Sequence, residues 1–92
     1  MNKQTHFESQ DALGNAEVML DVCREEYERA GHKDAAKSLW GLDVKSYAST
    51  QLALVTVYAL PAVNGLTAIR QCAVEAMRRA LASWQPALRQ AC

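Results

Sequence analysis

The sequence predicts an all-α fold, a compact bundle of three long helices plus one short helix. Apolar residues recur at helical spacing in two long stretches, and residues that start or stop helices bound each stretch. The β-branched and aromatic run Val55, Thr56, Val57 and Tyr58 has no second run to pair with. A strand needs a partner strand, so 55–58 is read as helix, with a strand as the alternative.

Thr5 and Glu8 have capping-box spacing, in which the hydroxyl and the carboxylate satisfy free amides at a helix start. From there Leu13, Ala16, Leu20, Cys23, Tyr27 and Ala30 follow at steps of three and four, one seam facing one neighbour, and Gly31 supplies the stop. A short helical pattern spans 34–42, with Asp34 as its cap, Leu39 and Trp40 as apolar anchors, and Gly41 as its break. Ser46 or Ser49 caps a third helix that runs to Leu60 and ends at Pro61. Its Leu52, Leu54, Val55, Val57 and Ala59 point all round the axis, which predicts a central helix covered on every side. Asn64 and Gly65 form a turn. Leu66, Ile69, Ala73, Met77, Ala80 and Trp84 then lie on one face of a last helix that reaches about Trp84 and is stopped by Pro86. On this reading Leu20 and Leu52 are both core, and truncating either to Ala is expected to cost about 2 to 5 kcal/mol.

A chain of 92 residues fits one domain, 1–92, with 1–5 and 87–92 frayed, and buries roughly 64% of its unfolded surface. That makes a thin core, so self-association as a homodimer or other homo-oligomer is expected. With 50% hydrophobic and 22% charged residues, the composition is globular and bears no mark of disorder, so the whole length apart from the ends is expected to fold. Net charge is zero but unevenly placed. Residues 1–45 carry six basic and nine acidic side chains, and residues 46–92 carry four basic and one acidic.

The uncharged stretch 46–69 is interrupted by Gln51, Pro61, Asn64 and Gly65, so it is read as a core element and not as a membrane span. Residues 1–10 lack the layout of a signal peptide. Cys23, Cys72 and Cys92 are odd in number, with no CxxC pair, and read as reduced thiols; a cytoplasmic location is the expectation. Cys23 and Cys72 are taken as packing residues, and Cys92 as exposed.

His6 and His32 are the only imidazoles. Neither adjoins a Ser or Cys in a nucleophile motif, and no residues have metal-ligand spacing, so no catalytic residue, metal site or cofactor is assigned and a non-enzymatic protein is expected.

The candidate partner-binding residues fall on the first and last helices. Glu17, Asp21 and Glu25 form a like-charge ladder at four-residue steps, with Glu28 on the same side and Glu25 pairing with Arg29. The structural reading of the ladder is a solvated face; the functional one is a docking face for a basic surface. Val18 and Val22 lie away from the helix seam and are candidates for a small contact patch. On the last helix, steps of about 100° place Arg70 inside the apolar arc of Leu66, Val74, Met77 and Leu81. A guanidinium there snorkels to water, pairs with a carboxylate of the acidic half, or meets a partner. Arg78 and Arg79, with Arg70 and Arg89, make the last helix the one candidate nucleic-acid footprint.

These residues suggest a non-enzymatic protein-interaction module. The kind expected is a small accessory regulator or inhibitor, phage or mobile-element in type, that binds a protein or nucleoprotein partner through charged helix faces. The alternative is a DNA-binding regulator using the arginine-bearing last helix.

Overall fold

Helix starts and stops decide where this chain turns. The computed structural model describes the backbone of residues 2–91 and the side chains of residues 11–84. It contains four helices, α1 (Asn2–Arg29), α2 (Lys33–Ser38), α3 (Tyr47–Tyr58) and α4 (Thr67–Ala91). No strand occurs among the described residues, so 55–58 is helix.

The seam of α1 is buried at Ala16, Leu20, Cys23 and Tyr27. Leu13 is half-buried and Ala30 is exposed beyond the helix end. The helix also runs back past Thr5, which is therefore not a cap; no Gly or Pro in the preceding residues halts propagation. The side chains of Thr5, Glu8 and His6 lie outside the described ones. At the other end Gly31 takes φ +91, a left-handed conformation that suits a residue without Cβ. Its amide donates to the Glu28 carbonyl at 3.0 Å and the His32 amide donates to the Tyr27 carbonyl at 2.9 Å, so two free carbonyls are satisfied as the chain reverses.

That reversal puts His32 at the cap position of α2, with no side-chain cap bond. Asp34 therefore lies inside the first turn and is not the cap, though its charge still suits a helix N-terminus. The helix closes at Ser38, earlier than expected. Leu39 turns inward and is buried, but Trp40 is 63% exposed and is no core anchor. Adjacent side chains at a helix end diverge by about 100°, so only one of the two meets the core.

The approach to α3 is ordered locally. Asp43 Oδ1 accepts from the Lys45 amide at 3.0 Å; that bond, followed by the Ser49 hydroxyl, holds its carboxyl below the usual range. Val44 is buried. Ser46 and Ser49 then form a reciprocal capping box, each side chain accepting from the other's amide at 3.0 Å.

The third helix is not central. Thr50, Ala53 and Val57 face inward, with Leu60 just beyond the end, whereas Leu52 is 56% and Val55 64% exposed. A helix apolar all round has no preferred side. Its burial depends on the neighbours available, and α3 packs mainly on α4 with no further long helix outside it. Thr50, the one buried polar residue among those described, is satisfied: its Oγ1 donates to the Ser46 carbonyl at 2.7 Å and accepts from Trp84 Nε1 at 3.1 Å.

The expected face is buried at Leu66, just before α4, and at Ala73, Met77 and Ala80 on it, widened by Val74 and Ala76, with Ile69 and Trp84 half-buried. The helix passes Pro86 and reaches Ala91, beyond the expected stop at Trp84. Proline deletes one amide donor, and the ladder continues around that gap. Along its buried face α4 packs against α1.

Leu20→Ala should therefore destabilise the protein by about 2 to 5 kcal/mol. Leu52→Ala should change stability by only about 0.5 kcal/mol. Urea unfolding followed by circular dichroism separates the two, and equal losses would contradict the burial pattern.

Candidate interaction surface

The eight candidate residues fall into three separate regions. Glu17, Val18, Asp21 and Glu25 share the outer side of α1, opposite its seam, with Val22 half-buried at its edge. Val18 is 57% exposed. Among the described residues, Asp21 has Arg24 at 3.7 Å, and Arg29 pairs with Glu26 at 3.0 Å in place of the expected Glu25. Glu17, Glu25 and Glu28 have no cation within ion-pair distance among them, so the ladder presents net negative charge.

Trp40 stands beside this ladder. The Arg24 guanidinium lies 5.7 Å from its ring centroid, a cation–π contact that holds the indole at the surface. A recess of about 240 Å³ has Asp21, Arg24 and Trp40 in its wall, with Leu20, Leu39 and Leu42. A second, of about 250 Å³, continues along Glu17, Asp21 and Lys45. On the far side of the indole, Glu28, Lys33, Ala36 and Lys37 line a third of about 220 Å³. Sequence reasoning placed Trp40 in the core. The signal pointing the other way was Gly41 (φ +78), which ends the helical pattern directly after it.

The arginines of α4 do not share a face. Arg70 lies inside the apolar arc, as its spacing indicated, and is half-buried. Its partner is a carbonyl: Nη2 donates to the Tyr58 backbone oxygen at 2.7 Å, and no carboxylate lies within ion-pair distance among the described residues. Nε is buried without an acceptor. Arg78 lies over the Tyr58 ring, 5.6 Å from its centroid, donates to the Tyr58 hydroxyl and has Glu75 at 3.7 Å. Arg79 is exposed on the opposite edge, in a groove shared with Asn15, Met19 and Cys72. The side chain of Arg89 lies outside the described residues.

Burial pushes the Cys23 thiol up to about 11, with the Arg70 charge pulling against the rise, so Cys23 is a neutral packing residue. Burial, and then the neighbouring Cys23, also raise Tyr27, whose hydroxyl donates to the Pro61 carbonyl at 2.8 Å. Cys72 is exposed and so is not a packing residue: it lies just outside the buried arc of α4. Cys92 lies outside the described residues. His32 meets Tyr27 edge-on, ring centroids 6.2 Å apart. Among the described residues no three of His, Cys, Asp or Glu are placed to hold a metal ion, and no helix is long and apolar enough to cross a membrane.

Comparison with protein-family models, with curated proteins and with solved structures finds no match to this chain.

Arg70→Ala should lower stability by about 1 to 2 kcal/mol through loss of a charge-assisted hydrogen bond to Tyr58. Arg79→Ala removes the same charge from an exposed site and should stay within about 0.5 kcal/mol of the parent. Thermal and denaturant melts of the two variants make the comparison, and equal effects would contradict the role given to Arg70.

Proposed function

We propose that this chain is a non-enzymatic protein-interaction module, an accessory regulator or inhibitor of the kind carried by mobile elements. It docks a basic protein or nucleoprotein partner on the outer face of α1 beside Trp40. The observation that carries the reading is an exposed tryptophan sharing a recess with Asp21, at the edge of a row of carboxylates that includes Glu17, Glu25 and Glu28. Buried aromatic anchors supply much of the energy of protein interfaces. Rim charges mainly speed and orient association. Val18 and Val22 extend the apolar part of the same face.

The DNA-binding alternative draws less support from this geometry. Two of the three described arginines of α4 are engaged with Tyr58, leaving Arg79 alone on its edge. Phosphate recognition depends on clustered cations.

The test is capture from the native host with the protein as bait, quantified by mass spectrometry against two variants, Trp40→Ala and the triple Glu17→Gln, Asp21→Asn, Glu25→Gln. A basic partner depleted about tenfold or more by both variants and by raised salt is expected. Capture of the same partners by all three baits would overturn the reading. A salt-sensitive shift of duplex DNA that Arg79→Ala abolishes would favour the alternative.

A further inference from the structure

The outer face of α3 differs in kind from that of α1. The helix carries no charged residue, and along its outer side the exposed residues Ala48, Leu52 and Val55, with Ala59 just past the helix end, follow at steps of four, three and four, the spacing of a seam between two packed helices; Gln51 and Tyr58 are exposed beside this row. This seam is symmetric end to end. Ala48 and Ala59 lie equally far from the midpoint between Ala53 and Leu54, and so do Leu52 and Val55. Turned end over end, the row reads the same in size: small, large, large, small.

We propose that a second copy of this chain covers this face, α3 packing antiparallel on its counterpart about a two-fold axis that passes between Ala53 and Leu54. In that register each Leu52 meets the other copy's Val55, and each Ala48 meets the other copy's Ala59. A two-fold interface sets each surface against itself, so a charged face meets its own charge; that counts against the acidic side of α1 and leaves the neutral α3 face free of repulsion. The end alanines let the backbones approach closely while the two large residues fill the centre. Val55 and Ala59 also line a groove of about 650 Å³ between the end of α3 and the start of α2, with Lys33, Asp34, Leu60 and Pro61 in its wall, which leaves room for the ends of the partner helix. A seam of about three turns on a single helix is smaller than the roughly 800 Å² per partner of a standard interface, so the dimer is reversible and forms with rising concentration.

The proposal does not depend on the α1 docking face, and different residues test it. Sedimentation velocity from micromolar to millimolar concentration should show the mass moving from monomer towards dimer. Leu52→Glu, exposed and therefore compatible with the fold, should abolish that shift with an unchanged circular dichroism spectrum. Register is read by oxidative cross-linking in a Cys72→Ser, Cys92→Ser background. Ala48→Cys protein mixed with Ala59→Cys protein should cross-link, while neither should link to itself, because like positions lie about 16 Å apart along antiparallel helices at about 1.5 Å per residue. A monomer at every concentration, a dimer insensitive to Leu52→Glu, or self-linking of Ala48→Cys would overturn the proposal. Loss of a different protein partner on Leu52→Glu, in a chain that stays monomeric, would assign the face to that partner instead.

Discussion

The placement of α3 depends on two polar ties to backbone carbonyls at its C-terminal end. From α1, the Tyr27 hydroxyl donates to the Pro61 carbonyl; from α4, Arg70 donates to the Tyr58 carbonyl. The last carbonyls of a helix have no intrahelical partner and carry the negative end of its dipole, so a cation there satisfies an acceptor and opposes a charge at once. The hydrophobic hold on α3 is modest, because the helix's own buried residues, Thr50, Ala53 and Val57, are small. The ties supply what small side chains do not, and they account for a guanidinium in the middle of an apolar arc, its stem packed there and its head on a backbone oxygen.

The division of charge along the chain follows the division of roles. The acidic half supplies the outer side of α1, where repulsion within the ladder is tolerated in water. The neutral stretch 46–69 becomes α3, its connection to α4 and the first residues of α4. Of the cations of the basic half, Arg70 and Arg78 turn toward Tyr58 and tie α4 to the end of α3. Two faces of opposite character remain open, one charged with an aromatic beside it and one neutral and apolar. Under the two proposals made above, the charged face meets a different molecule and the neutral face meets a second copy of the chain.

What could be read from the sequence was what local spacing determines. The seams of α1 and α4, the Gly31 stop and the Ser46 cap depend on residues within a few positions of one another, and all are present. The sidedness of α3 was not legible, because apolar residues all round give no direction and only the bundle decides which side is covered. Trp40 was misplaced for a related reason: whether a residue at a helix end turns in or out depends on where the helix closes. Arg70 was legible in position but not in partner, since backbone carbonyls do not appear in a count of charges.

Amide hydrogen exchange on the parent and on a Tyr27→Phe, Arg70→Met double variant tests the dependence of α3 on its two ties. The account predicts that the amides of α3 lose protection first and most, while those along the seam of α1 and α4 keep theirs, because the ties act on one element and leave the main core intact. Unchanged protection in α3, or a uniform fall across all four helices, would contradict it.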